Sequence, residues 1–410
     1  MPTEKVEIGF DLRGAGGPFL VLDDPVAGRL DDSDWVLGGT IFIDITGDVT
    51  GFTIQRGKAN DIGNFSSGEA VVELNNQNRY YDPTYEASPY YGNIIPKRQV
   101  RISTNDAIQY FGSVDDWNLA YSSNGDAVAS FVTSDGFAEL TNQTLPASTA
   151  TAQFSGARVN AILDSPFVDW APDNRQIDTG SAYLGADVIA EGTSALAYIQ
   201  KVEQSELGRF FIAKDGKATF QDRTVAPSSV GLIELSNTGT GIPYQDLVVM
   251  YGSEDLANEI VASSVITSTQ VIANDTDSQN AYGIYNLTLN DLLLNDDTQL
   301  TDTALFLASK YSQPQYRFDS LNVRLNSLTE AEQNQILGLE LGSVVKVTFL
   351  PSNLPPAIVR YAEIIRLNHS VDIAGEHIVN FGLATVDLTY LVLDDPVFGM
   401  LDTNSNVLGF

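Results

Sequence analysis

A chain of 410 residues is longer than one hydrophobic core usually fills, so its length predicts about two to four domains. The absence of cysteine excludes disulfides, zinc ribbons and thiol nucleophiles, and no apolar run approaches the ~20 residues with which a helix crosses a bilayer. Fifty-three acidic residues against 22 basic ones give a formal net charge of −31. That balance disfavours tight nucleic-acid binding, which needs clustered Lys and Arg, and suits either solubility or repulsion of a passing polyanion.

The opening MPTEKVEIGF lacks the basic-then-apolar pattern of a secretory leader, so none is expected. It starts an extension, 1–39, that carries FLVLDDPVAGRLDDSDWVLG at 19–38. A near copy, YLVLDDPVFGMLDTNSNVLG, fills 390–409 inside a terminal segment, 390–410, and thirteen of the twenty aligned positions are identical. In each copy an apolar strand ends in Asp-Asp-Pro, where Asp bonds its own backbone and Pro forbids helix, so the chain extends and then turns. A second apolar stretch follows at Leu30 or Leu401. A hook this short has no core of its own and has to dock on something. The expected docking residues are Leu22, Asp23, Asp24, Pro25 and Leu30, with Leu393, Asp394, Asp395, Pro396 and Leu401 in the second copy. A calcium loop is the rival reading of the acids at 23–34. It fails because Val36 stands where a further oxygen ligand is due and no acid closes a twelve-residue loop.

Over 40–150, short β-branched and aromatic runs at 40–46, 49–55, 69–74, 98–104 and 108–114 predict strands. Asn124-Gly125 between two alternating runs predicts a hairpin with positive φ at both turn residues. The spacing suits a five- or six-stranded antiparallel barrel or sandwich. The pattern then changes to a small α+β insert, 151–245. Ser155 is the expected N-cap of a helix that buries Val159, Ile162 and Leu163; a second helix buries Leu196, Ile199 and Val202 and stops at Gly208; a hairpin turns at Asp215-Gly216. Strands return over 246–389, interrupted by a helix starting after Thr301 and by another with a capping box in Thr329 and Glu332. The fold class is therefore mainly β with an α+β insert and short helices, two β domains, and a tag-like extension at each end.

Catalytic signals are weak. No G-x-S-x-G elbow and no H-E-x-x-H frame occurs. The two histidines, His369 and His377, sit near Asp372 and Glu376 and form either a metal site or an ordinary cross-strand polar pair; the second is expected. With 53 acids, paired carboxylates discriminate nothing. No cofactor is expected, and no enzyme. In NRYYDPTYEASPYYG, Tyr80, Tyr81, Tyr85, Tyr90 and Tyr91 offer stacking faces for a glycan, or else form an ordered loop pinned by Pro83 and Pro89.

This loop lies within a longer pattern. Arg56-Gly57, the strand Gly68 to Leu74, the Asn-rich turn 75–83 ending in Asp-Pro, Val100 to Ile102, and Phe111 to Trp117 together resemble the first hub domain of siphophage minor tail proteins, the tail-tip hub family. SELGRFFIAKDGKATFQDR and DTDSQNAYG are similar to later segments of that family, and so is the C-terminal tail. The resemblance implies two tube-like antiparallel β-barrel domains per chain and a homotrimer with six similar barrels that continues a sixfold tail tube. It further implies DNA passing without specific binding, neighbours such as the distal tail protein, the tape measure protein and fibre proteins, and no membrane insertion. The place implied is the virion, at the tail tip, after assembly in the host cytoplasm. The alternative is a receptor-binding, glycan-binding or cell-wall-degrading tail protein.

Overall fold

The computed structural model describes residues 1–10, 41–223 and 232–386. Both copies of the twenty-residue repeat, with all ten of their expected docking residues, lie outside the described residues.

The first half of the chain forms β1 (Glu4–Phe10), β2 (Ile41–Asp44), β3 (Val49–Gly57), β4 (Ser66–Asn75), β5 (Gln99–Thr104), β6 (Ala107–Tyr121) and β7 (Ala127–Ser134). Three helices follow, α1 (Gly136–Asn142), α2 (Ser155–Leu163) and α3 (Ala195–Glu206), then the hairpin β8 (Arg209–Ile212) and β9 (Ala218–Gln221). The second half contributes β10 (Glu234–Ser236), β11 (Asp246–Tyr251), β12 (Glu259–Ser264), β13 (Thr269–Asn274) and α4 (Thr276–Tyr282). After these come β14 (Asn286–Leu292), α5 (Asp297–Tyr311), β15 (Tyr316–Arg324), α6 (Glu330–Gly338), β16 (Val344–Phe349), β17 (Ile358–Val371) and β18 (His377–Thr385).

One 13-stranded sheet runs through both halves in the order β11-β15-β18-β17-β3-β4-β7-β6-β5-β1-β2, with β16 and then β10 branching from β17. Read from its first strand, each half has the same order. The series β3-β4-β7-β6-β5-β1 matches β11-β15-β18-β17-β16-β10 strand for strand. The match breaks only at the last pairing, antiparallel between β1 and β5 but parallel between β10 and β16. The halves join where β17 pairs antiparallel with β3, from Arg366 opposite Gly57 to Val371 opposite Phe52. The expectation of two closed barrels is thereby corrected: among the described residues neither half closes on itself. The reason is that the free edge of β17 satisfies its backbone groups on the other half instead of on its own. Strands β12–β14 also stay out of the large sheet; they form a sheet of their own, crossed by α5.

Two buried clusters follow this layout. One fills the first half around Val6, Ile8, Phe52, Ile54, Val72 and Phe131. The other runs from α1–α3 through the second half.

Local expectations held in part. Thr329 and Glu332 make the reciprocal capping box of α6, and Gly216 turns the β8–β9 hairpin at φ +88. Ser155, by contrast, is the first residue of α2 and donates its hydroxyl to Glu206 at 2.6 Å, while Phe154 holds the cap position without a side-chain bond. Leu207, not Gly208, takes the left-handed position that ends α3, at φ 56. Helix α5 starts before Thr301, because Asp296 accepts from the backbone N–H of Thr298 and Gln299. At the β6–β7 turn only Gly125 has positive φ, +97, in a loop five residues long that spans 122–126.

Candidate assembly interface

The β3–β17 seam makes a steric demand that only one residue type meets. Gly57 has φ +120, and a Cβ there falls 2.3 Å from the carbonyl oxygen of Ile365 and 2.6 Å from the Cα of Arg366. Only glycine accepts both the conformation and the approach. Beside it, Arg56 is buried and donates from Nη2 to the carbonyl of Ile212 at 2.7 Å and to Glu340 Oε1 at 2.8 Å. Glu340 Oε2 accepts from the backbone N–H of Lys214 at 2.9 Å, and Lys214 Nζ donates to the carbonyls of Leu337 and Leu339 at 2.6 and 3.1 Å. Burial pulls the Lys214 ammonium below its ordinary value. One arginine thus ties β3, the β8–β9 hairpin and the end of α6 together, and its charge is matched where desolvation is costly.

A second close approach lies one strand away. A Cβ on Gly68 falls 2.6 Å from Asp135 Oδ2, and that carboxyl accepts from the N–H of Gly68 at 2.7 Å, the hydroxyl of Ser67 at 3.0 Å and the N–H of Phe137 at 3.0 Å. Asp135 caps α1 in this way. Burial pushes its carboxyl up to about 6 against the pull of these donors and of Arg56.

No family model matches the chain, and no curated protein matches it. Among solved structures it is similar to the tail protein from Neisseria meningitidis MC58, with a TM-score of 0.58 over 93% of this chain and 96% of that one at 10% sequence identity. It is also similar to a 43 kDa tail protein of prophage MuSo2 from Shewanella oneidensis, with a TM-score of 0.57 over 85% of this chain and 96% of that one at 11% identity. The chain shares the fold of phage tail proteins. At such identities the likeness is one of fold.

Within this tail-protein fold the two histidines meet as a buried cross-strand pair. His369 Nδ1 lies 2.9 Å from His377 Nε2, and His377 Nδ1 lies 2.8 Å from Glu4 Oε1. Glu4 comes from β1, so the pair links the two halves. Burial, with the neighbouring charges of His377, Arg56 and Lys214, holds His369 well below its ordinary value, which keeps its ring neutral. The acids expected near them serve elsewhere: Asp372 accepts from the N–H of Ala374 and Glu376 at 2.9 Å each, and Glu376 pairs with Arg324 at 2.9 Å. Among the described residues, no group of three or more His, Cys, Asp or Glu is placed to hold a metal.

The aromatic loop is ordered from within. Tyr81 is fully buried, donates its hydroxyl to Asp48 at 2.8 Å and stacks on Trp117. Tyr90 packs on Tyr81 and on Phe10. Tyr85 lies under the guanidinium of Arg79. Tyr91 projects, 49% exposed. Four tyrosines that read alike in sequence therefore divide between core and surface, and the expected glycan faces of Tyr81 and Tyr90 are turned inward. Sequence reasoning missed Arg56, Glu340 and Lys214 as a unit. Their only signal was an arginine beside a glycine at the end of a strand.

Proposed function

We propose that this chain is a structural hub of a phage tail tip, three copies of which form a ring of six similar β units that continues a sixfold tail tube. The observation that carries the reading is the repeated strand order within one continuous sheet. A chain that already strings two like units edge to edge needs only two more copies to supply six positions around an axis. Its net charge of −31 suits a channel along which DNA slides without adhering during ejection. The tail-protein fold supports a place in the tail of the virion, and the neighbours proposed for it there are a distal tail protein, a tape measure protein and fibre proteins. The duplicated terminal segments dock one on each unit, through Leu22, Asp23, Asp24, Pro25 and Leu30 and through Leu393, Asp394, Asp395, Pro396 and Leu401.

The test is the mass of the full chain by light scattering, with the particle viewed along its axis by electron microscopy. Three chain masses and a ring of six similar densities support the reading. A particle that remains a single chain at every concentration, or a ring with another number of densities, overturns it.

A further inference from the structure

Each side of the seam inside the chain has a counterpart that no strand fills among the described residues, one on β6 and one on the terminal strand β11. Strands β6–β7 and β17–β18 are the same hairpin, residue for residue. In β6–β7 the register shifts between Val114 and Asp116, and Tyr121 closes opposite Ala127. In β17–β18 it shifts between Ile364 and Arg366, and Val371 closes opposite His377. The two loops, 122–126 and 372–376, carry Gly125 and Gly375 at the same place, both with positive φ. The preceding chain also leaves both long strands in the same way. Lys97 N–H donates to the carbonyl of Val114, and Val114 N–H to that of Arg98. Gly342 N–H donates to the carbonyl of Ile364, and Ile364 N–H to that of Ser343. Lys97 and Gly342 are both left-handed, at φ 65 and +82, and turn the chain away from the strand.

Beyond that departure the two strands differ. The edge of β17 over 366–371 is filled by β3. The matching edge of β6 over 116–121 pairs with no strand among the described residues, and neither does the outer edge of β11, which stands in the second half where β3 stands in the first. The filled seam buries Leu367, His369 and Val371 against Phe52, Ile54 and Arg56. Their counterparts are Trp117, Leu119 and Tyr121 on β6, and Leu247, Val249 and Tyr251 on β11. All six are apolar or aromatic, with Tyr121 53% and Tyr251 69% exposed. Gly252 follows Tyr251 as Gly57 follows Arg56, and a Cβ there meets open space where one on Gly57 meets the carbonyl of Ile365. Two edges with open backbone groups, each a copy of one side of an existing seam, are complementary by construction.

We propose that β11 of one copy adds antiparallel to β6 of a second copy of this chain, in the register of the internal seam: Asp116 opposite Gly252, Asn118 opposite Met250, Ala120 opposite Val248. The contact is head to tail, so it repeats around an axis until the ring closes. It rests on the ring reading above and names the strands that build it. Helix α6 shows what accompanies such a seam. It lies between β15 and β16 yet reaches the first half, where Asn105 Nδ2 donates to Gln333 Oε1 at 3.0 Å and Gln109 Nε2 to the carbonyl of Leu337 at 3.3 Å. The equivalent segment between β4 and β5 is the tyrosine loop, whose exposed Tyr91 and Ile95 then meet the second copy.

The chain has no cysteine, so a pair placed by mutation reports alone. Opposed residues of an antiparallel pair stand about 4.5–5.5 Å apart at Cα, within the span of a disulfide. Asn118 and Met250 are exposed, so Asn118→Cys with Met250→Cys leaves the fold intact. Oxidation of this double variant is expected to give covalent species up to three chains, with none from either single variant and little from Ala120→Cys with Met250→Cys, which is two residues out of register. A three-chain particle that does not cross-link, or cross-links equally out of register, overturns the seam and leaves the ring standing. Cross-linking that appears only after residues 390–410 are removed assigns the edge to the terminal repeat and also overturns it. A chain that stays single throughout overturns the ring itself.

Discussion

At the scale of single residues, two positions carry demands that packing creates. Gly57→Ala places a Cβ against the Ile365 carbonyl at a φ of +120, so it is expected to destabilise the chain by about 1–3 kcal/mol, read as a lowered urea midpoint. Glu203 on α3 is buried and accepts only from the Phe210 N–H, at 3.0 Å. Burial pushes its carboxyl from an ordinary 4.5 up to about 8, opposed by that N–H and by the charge of Lys58. The folded chain thus keeps a proton that the unfolded chain releases near 4.5. This contribution to stability is complete below 4.5 and lost as pH rises through about 8, at about 1 kcal/mol for each pH unit. Glu203→Gln is expected to match the parent near pH 4 and to exceed it in stability at pH 8, checked by denaturation at both values. No local pattern announced Glu203, because its neighbours in space are set by how α3 lies on the β8–β9 hairpin.

At the scale of elements, legibility followed the range of the interactions. The capping box of α6 closes within four residues, Thr329 to Glu332, and was readable in full. Thr329→Ala is expected to cost about 1 kcal/mol, visible as a lower melting temperature with the sheet signal retained. Ser155 looked like a cap by the same rule, but its hydroxyl has a buried carboxylate partner in Glu206, 51 residues away. Likewise β6 reads in sequence as two runs, 108–114 and the alternating arm that leads to Asn124, because a bulge between Val114 and Asp116 interrupts its alternation. The strand continues because β7 pairs with it to Tyr121. The tyrosine loop divides for a similar reason: Tyr81 finds Asp48 and Trp117, while Tyr91 finds no such shelter.

At the scale of the molecule, the proposed docking role of the terminal repeat is open to a direct test. Removal of residues 390–410 is expected to leave the melting transition in place while the mass falls from three chains toward one; a truncated chain that still forms the full ring would remove the repeat from the interface. The fold itself divides by the same logic of range. Sequence alone determined that the chain is mainly β, where its strands and most of its helices lie, which faces are apolar, and that its ordered motifs resemble tail proteins. Tertiary structure alone decided that the halves share one open sheet instead of closing as two barrels, and that each repeats the strand order of the other. Alternation of apolar and polar residues states which face of a strand is buried. It does not state which partner fills the strand's edge, because backbone donors and acceptors are identical along every chain, and the pairing of Phe52 with Val371 is settled only when both halves are in place.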